Sequence, residues 1–185
     1  MRLFIGVEIP EEIKARLWGV AEKFDFSGVT LSRREHYHIT MQFLGEVPES
    51  KLQDIKDSMS STAGNSFHAD VRGLSSFGDR MRVLFADLGE GSEELRSLYS
   101  RLGAELRNHG VVCEEEKAYR PHVTLARVKF IKDRDALAAA FEKYSSTDFG
   151  SFVADSIFLK SSVPTPLGHL HQILYERKLP RQSAP

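Results

Sequence analysis

Cysteine is almost absent from this 185-residue chain, which contains a single one, Cys113. One cysteine excludes an intramolecular disulfide and any zinc site built from several cysteines. Its neighbours, Val111 and Val112, indicate a small buried hydrophobic side chain rather than a reactive thiol. Nothing in the cysteine content calls for an oxidising compartment, and we expect a cytoplasmic protein.

Long hydrophobic runs are also missing. The longest, at 136–141, has six residues, which is too short to span a membrane. The acidic Glu8 comes too early in the chain for a secretory signal peptide. We therefore expect no membrane association and predict that the N-terminal segment forms the first strand.

Neither sign of charge dominates, since 25 Lys and Arg residues face 26 Asp and Glu residues. A protein that coats long nucleic acid usually needs a strongly basic face, so this balance argues against that class. The binding of a single phosphate or of an RNA end remains open. The length and the 41% hydrophobic content suit one domain, or two small lobes, with a substantial core.

Hydrophobic periodicity predicts a mixture of helices and strands. Four helices are predicted: one over 11–24, one after Pro48 that carries Leu52, Ile55 and Met59, one from Ser92 to Gly110, and one from Asp133 to Tyr144. Seven strands are predicted at 2–8, 36–44, 67–76, 81–88, 121–129, 151–160 and 171–178. This mixed order of elements is typical of an α+β protein.

An internal repeat runs through the chain. His38-Ile39-Thr40 recurs as His122-Val123-Thr124 at an offset of 84, the segment 67–74 resembles 152–159 at an offset of 85, and 2–5 resembles 82–85 at an offset of 80. Two copies are too few for a solenoid. We predict one domain over 1–180 with pseudo-symmetric lobes at about 1–80 and 81–180 around a central groove, followed by a frayed tail at 181–185.

The repeated tripeptide places a histidine and a threonine on the same strand face. Alternation puts His36, His38, Thr40 and Gln42 on one face of the first strand, and Tyr37, Ile39, Met41 and Phe43 on the apolar face. In the second strand, Arg120, His122 and Thr124 share the polar face. A single His-x-Thr tripeptide carries little information, but two copies at the repeat offset favour a paired functional site.

Two histidines across a groove are able to divide acid and base catalysis. One neutral imidazole takes a proton from water, and one imidazolium gives a proton to a leaving oxygen. The threonine hydroxyls are placed to donate hydrogen bonds to phosphate oxygens, and phosphate esters suit such a site because catalysis there is mainly positioning and charge stabilisation. A zinc site is the alternative, but the paired motif supplies two imidazoles where three or four ligands are needed.

Other polar and aromatic residues near the motifs are weaker candidates. Arg120 and Arg127 are candidates to complement phosphate charge, although strand parity places Arg127 opposite His122 unless the strand bulges, which favours a structural ion pair. Phe43 is predicted to be core, with base stacking as the alternative. His169 and His171 are predicted to lie in a loop that overhangs the groove.

The motif-bearing segments resemble the 2H phosphoesterases. The resemblance rests on Tyr37-His38-Ile39-Thr40-Met41-Gln42-Phe43-Leu44-Gly45-Glu46 and on Arg120-Pro121-His122-Val123-Thr124-Leu125-Ala126-Arg127. It is stronger for the RNA 2′,3′-cyclic phosphodiesterase branch, formerly called 2′-5′ RNA ligase, and extends over nearly the whole chain. Two residues depart from the family pattern, Phe85 where Trp is common and His169 where Pro is frequent. Neither is expected to touch the catalytic pairs.

The resemblance implies a bilobal fold and metal-free hydrolysis of RNA 2′,3′-cyclic phosphate ends to 2′-phosphates, with no cofactor. It implies that His38 is the proton donor, that His122 is the proton acceptor, and that Thr40 and Thr124 hold phosphate oxygens. Arg120, Arg127 and Phe43 are candidate substrate contacts, no metal ligand is expected, and we expect a monomer without an obligatory protein partner. The open alternatives are a 2′-5′ oligonucleotide or small cyclic-nucleotide phosphodiesterase, an RNA ligase, and a non-catalytic RNA-end-binding module.

Overall fold

The structure, a computed structural model, describes residues 1–78, 81–113, 118–165 and 168–181. Its nine strands are β1 (Arg2–Glu8), β2 (Val29–Leu31), β3 (His38–Glu46), β4 (Phe67–Phe77), β5 (Val83–Leu88), β6 (His122–Val128), β7 (Asp148–Ala154), β8 (Ser156–Thr165) and β9 (Gly168–Lys178). The helices are α1 (Glu11–Ala21), α2 (Leu52–Ser61), α3 (Ser92–Asn108) and α4 (Arg134–Tyr144). The predicted α+β class is confirmed.

The helix ends follow local chemistry. A 3₁₀ turn over Glu22–Phe24 continues α1 and completes the helix predicted to residue 24. The side chain of Asp133 caps α4 by accepting a hydrogen bond from the Ala136 N–H at 2.9 Å. Helix α3 ends because Gly110 adopts a left-handed φ of +67°, and the N–H groups of Gly110 and Val111 then donate to the carbonyls of Arg107 and Leu106.

All nine strands belong to one sheet with the order β7-β4-β5-β6-β3-β1-β8-β9, and β2 pairs with β6. This order is symmetric about the β6–β3 contact, so that β3 corresponds to β6, β1 to β5, β8 to β4 and β9 to β7. The two pseudo-symmetric halves predicted from the repeat are therefore present in the sheet.

The halves of the sheet are assembled differently from the sequence lobes at 1–80 and 81–180. Strand β4 lies beside β5 in the second half, whereas β8 lies beside β1, and β9 beside β8, in the first half. Each sequence lobe thus contributes strands to both halves of the sheet. Of the predicted tail at 181–185, residues 182–185 lie outside the described residues.

The prediction of one strand at 151–160 was wrong. Strand β7 ends at Ala154 and β8 begins at Ser156, and β7 pairs with β4 itself, with Phe152 opposite Ala69. The similarity of 67–74 to 152–159 therefore begins in β7, the neighbour of β4, and continues into β8, its equivalent. The short strand β2 was not predicted, and the segment Arg34–His36 forms a 3₁₀ turn instead of the start of a strand.

The helices pack against the apolar sheet face. Helix α1 buries Ile13, Leu17 and Val20 and contacts β6 and β7, while α3 buries a leucine stripe and contacts β3. The core residues Ile39 and Val123 point into this layer and are fully buried. The opposite face of β3 and β6 is left to the polar side chains of the repeated motif.

Candidate active site

The four motif residues meet on one face where the halves of the sheet join. Strands β3 and β6 are antiparallel and pair Ile39 with Val123. Because both paired side chains point into the core, the residues on either side of them point to the other face. The antiparallel register sets His38 beside Thr124 and Thr40 beside His122. Each histidine therefore lies next to the threonine of the other half.

The backbone holds both imidazole rings in the same way. His38 Nδ1 lies 2.5 Å from the carbonyl oxygen of His36, and His122 Nδ1 lies 2.8 Å from that of Arg120. A carbonyl oxygen only accepts hydrogen bonds, so Nδ1 carries the hydrogen and donates it in each ring. Nε2 is consequently the nitrogen that is available for proton transfer. In the first half it lies 3.0 Å from Thr40 Oγ1.

Aromatic rings and histidines enclose His38. Phe4 stacks on its ring with centroids 4.8 Å apart, and His171 approaches edge-on at 5.6 Å. His171 also stacks on His36 at 4.4 Å and belongs to β9, which corrects the prediction that it lies in a loop. Burial, followed by the charge of Lys160, lowers the pKa of His38 to about 4, so the free protein holds this imidazole neutral at neutral pH.

A buried group of ions lies beside His38. Glu8 is the cross-strand partner of His38 and forms ion pairs with Lys160 and, at 3.0 Å, with Lys14. Both lysines are only 7% exposed. Burial by itself would raise the pKa of Glu8, but the hydrogen bonds and charges of the two lysines outweigh it and lower that pKa.

His122 has an analogous environment. Phe77 and Phe85 each place a ring centroid 5.0 Å from that of His122, so the expectation that Phe85 would not touch the catalytic pairs was wrong. Asp87 is the cross-strand partner of His122 and forms an ion pair with Arg120. Arg120 also donates to Ser75 Oγ at 3.1 Å.

Matching β-bulges bring Phe43 and Arg127 to the exposed face. The register of β1 on β3 skips Met41, and that of β5 on β6 skips Leu125, which reverses the strand alternation. Gln42 is consequently buried and Phe43 is 46% exposed. The Phe43 ring lies 6.3 Å from Phe4, so the prediction of a core position for Phe43 was wrong. Arg127 is exposed at the equivalent position, as expected for a bulged strand.

Other possible sites lie apart from these residues or are absent within the described ranges. A cavity of about 350 Å³ is lined by residues 63–67 with Glu94, Leu98 and Arg101, none of which belongs to the motifs. Among the described residues, His, Cys, Asp and Glu side chains form no group of three or more with a geometry suited to a metal ion. In the same part of the chain, no helix has the length and apolar character needed to cross a membrane.

Solved structures share this architecture. The crystal structure of TT0787 of Thermus thermophilus matches with a TM-score of 0.81 at 27% identity, covering 99% of this chain and 100% of that one. Escherichia coli LigT complexed with 3′-AMP matches with a TM-score of 0.79 at 19% identity, covering 96% and 97% of the two chains. The fold is thus that of a 2H phosphoesterase.

Sequence comparison gives the family. Residues 9–163 match the model of the 2′-5′ RNA ligase superfamily, and the chain belongs to that family. A protein named RNA 2′,3′-cyclic phosphodiesterase from Methanocaldococcus jannaschii is 35% identical over 176 residues, which cover 95% of this chain and 99% of the relative. A protein of the same name from Thermotoga maritima is 33% identical over 184 residues, covering 95% and 94%.

The carboxylates beside the histidines were not found from the sequence. At the offset of 80 that relates 2–5 to 82–85, Glu8 corresponds to Leu88. The sheet register instead matches Glu8 with Asp87, because these residues pair with His38 and His122. Aligning β1 and β5 one residue differently would have revealed an acidic residue at the same position of both halves.

Proposed function

We propose that this protein is a phosphodiesterase that hydrolyses the 2′,3′-cyclic phosphate at an RNA 3′ end to a 2′-phosphate. The observation that carries the proposal is the convergence of His38, Thr40, His122 and Thr124 on one sheet face. Each histidine has its Nδ1 held by a backbone carbonyl. The names of the relatives support the same substrate class.

In this mechanism the two Nε2 atoms have opposite tasks. His122 takes a proton from the attacking water, and His38 donates a proton to the 3′ oxygen as its bond to phosphorus breaks. His38 is neutral in the free protein because of its lowered pKa. The anionic phosphate of the substrate favours the imidazolium and so loads His38 with the proton that it later donates.

Thr40 links this protonation to phosphate binding. In the neutral ring, Nε2 accepts the hydrogen bond from the Thr40 hydroxyl, 3.0 Å away. In the imidazolium, Nε2 carries a hydrogen for the leaving oxygen and no longer accepts from the Thr40 hydroxyl. The hydroxyl hydrogen is then released and becomes available to a phosphate oxygen. Protonation of His38 and binding of the phosphate therefore support each other.

The remaining substrate contacts are assigned by position. Phe43 lies on the His38 side of the exposed face and is suited to stack on a base. Arg127 lies at the equivalent position on the His122 side and is suited to bind phosphate. Arg120 holds Asp87, and its 43% exposed side chain still leaves donors for the substrate. We propose that the enzyme acts as a monomer and needs no metal ion.

A panel of substrates assayed with excess chelator tests the proposal. It contains an RNA with a 2′,3′-cyclic end, a 2′,3′-cyclic mononucleotide, a 2′-5′ linked dinucleotide and an ADP-ribose cyclic phosphate, and each product is identified. We expect the cyclic RNA end to react fastest and to give a 2′-phosphate. Faster reaction of another member would identify a different phosphodiesterase, and RNA binding without turnover would identify a binding module. Activity that is lost in chelator and restored by zinc would overturn the metal-free mechanism.

A further inference from the structure

In each half of the site, a histidine faces a carboxylate that is bound by positively charged side chains. The two halves differ in the number of these side chains. Glu8 stands opposite His38 and Asp87 stands opposite His122 in the strand registers. Each carboxylate is bound by a cation from the same half of the sheet. The carboxylates therefore follow the pseudo-symmetry of the fold, whereas the cations do not, because Lys160 lies in β8 and Arg120 lies just before β6.

The half around His38 has an excess of positive charge. Glu8 is shared by Lys160 and Lys14, so two ammonium groups face one carboxylate. Both lysines are buried, although the Glu8 side chain is itself 26% exposed, and charges are screened less at buried sites than in water. Lys160 is 7% exposed and tied to Glu8, so it acts on the site through its charge rather than as a free substrate contact.

Among the described residues, the ion pair beside His122 is balanced. One carboxylate, that of Asp87, meets one guanidinium, that of Arg120. The Arg120 side chain is 43% exposed and that of Asp87 is 28% exposed, so solvent screens their field. The same hydrogen bond from Nδ1 to a backbone carbonyl thus holds two histidines in different electrostatic surroundings.

We propose that Lys160 is a positioning residue that weakens the hold of His38 on its proton, so that the imidazolium formed with substrate passes that proton readily to the leaving oxygen. This inference deepens the proposed function and rests on it. In the step, the Nε2–H bond breaks as the O–H bond of the 3′ hydroxyl forms, and the imidazole returns to neutral. Lys160 supplies charge and exchanges no proton.

The groups around His38 agree with this role. Glu8 faces it from β1, Lys160 from β8, His171 from β9, His36 from the 3₁₀ turn, and Thr124 and His122 from β6. After burial, the charge of Lys160 is the largest influence that lowers the His38 pKa, while Glu8 opposes it. Lys14 binds the other oxygen of the same carboxylate and is not among the largest influences on the His38 pKa.

Lys14 therefore provides a matched control. Lys160→Met and Lys14→Met each remove one of the two ammonium groups bound to Glu8, from equally buried positions, and methionine fills similar volume without the charge.

Titration of the His38 imidazole by ¹⁵N NMR in the free protein measures the effect without substrate. We expect Lys160→Met to raise the His38 pKa by about one unit, the low end for a nearby charge. Lys14→Met and Lys160→Arg should leave it within a few tenths of a unit. Equal shifts in the two methionine variants, or no shift in either, would overturn the inference.

Kinetics separate this inference from the proposed function. With a 2′,3′-cyclic substrate, the acid limb of kcat/KM in Lys160→Met should move upward with the NMR value. The value of kcat, which reports the substrate complex in which His38 is already protonated, should fall several-fold because the acid is weaker. A substrate that expels nitrophenolate should be unaffected. If the NMR shift occurs in a protein that hydrolyses no cyclic phosphate, the proposed function fails and the electrostatic role stands. If the wild-type protein hydrolyses the cyclic phosphate but Lys160→Met shows no shift of the His38 pKa, the electrostatic role fails.

Discussion

At the scale of single residues, the motif histidines should dominate catalysis. His38→Ala and His122→Ala should each lower kcat/KM on a 2′,3′-cyclic substrate by about 10²–10⁴, the usual contribution of general acid–base catalysis. Thr40→Ala and Thr124→Ala should cost less, since each removes one hydrogen-bond donor to the phosphate. The half-buried Cys113 serves as a control, because Cys113→Ser should keep full turnover. Loss of turnover in a folded Cys113→Ser variant, with active histidine variants, would refute the site assignment.

The leaving group distinguishes the acid from the base. A ribose oxygen needs a proton as it departs, whereas nitrophenolate is stable without one, so the nitrophenyl substrate should largely restore His38→Ala. His122→Ala should stay impaired on both substrates, because water must still be activated. Single-turnover kinetics would establish that chemistry limits the rate, and circular dichroism would establish folding. Recovery of His122→Ala instead would reverse the two roles.

Residue identity was enough to predict the motif pairs but not all of their neighbours. His38 and His122 were found because the tripeptide repeats and because strand alternation gives a definite face. Phe43 was misplaced because one unpaired residue, Met41, reverses that alternation, and no side-chain pattern marks a bulge of this kind. His169 and His171 were placed in an overhanging loop because the strand predicted at 171–178 was not extended back to Gly168, where β9 begins.

At the scale of elements, long periodic segments were predictable and short or adjoining ones were not. The four helices and most strands agree because each buries a regular stripe of apolar side chains. Strand β2 has three residues, too few to show a period. Strands β7 and β8 are separated by Asp155 alone, so their pattern looks continuous although the chain changes its pairing partner there.

The contact between β1 and β3 depends on the absence of a side chain at Gly6. A Cβ added at this position would lie 2.6 Å from the Ile39 carbonyl oxygen and 3.5 Å from His38 Cδ2. We expect Gly6→Ala to lower the free energy of unfolding by about 1–3 kcal/mol, as overpacking does, and to reduce turnover by shifting His38. Urea denaturation and cyclic-phosphate assays measure the two effects.

Gly19 in α1 is the matched control for this substitution. A Cβ there meets no atom within 4 Å, so Gly19→Ala should stabilise the protein by about 0.5–1 kcal/mol through helix propensity alone. Activity should be unchanged. A Gly6→Ala variant as stable and active as Gly19→Ala would show that the two strands separate without cost to the site.

At the scale of the whole molecule, the sequence repeat predicts two halves but not how the strands are shared. Local patterns specify each strand, whereas the assignment of β4 to the second half and of β8 and β9 to the first is decided by pairing over long sequence distances. The carboxylates depend on this arrangement, since Lys160 reaches Glu8 only because β8 lies beside β1. Residues from both ends of the chain thus define the charge around His38.

The burial of neutral His38 should make the stability of the whole molecule depend on pH. Its pKa is about 4 in the folded protein and about 6.5 in the unfolded chain. Between these values the unfolded chain binds the proton and the folded protein does not, so the free energy of unfolding falls as the pH drops from about 6.5 towards 4. One pKa unit corresponds to about 1.4 kcal/mol, so His38 should account for a loss of about 3 kcal/mol.

Urea denaturation from pH 7.5 to 4.5 would measure this loss in wild-type protein and in His38→Gln, which lacks the titrating ring. His171, whose pKa is also lowered to about 4 by burial, remains in both proteins, so the difference between the two curves isolates His38. We expect the curves to converge as the pH falls, with the wild type losing more stability than His38→Gln. Parallel curves would show that His38 titrates alike in the folded and unfolded states, and would remove the basis for a neutral imidazole that is protonated only when the substrate binds.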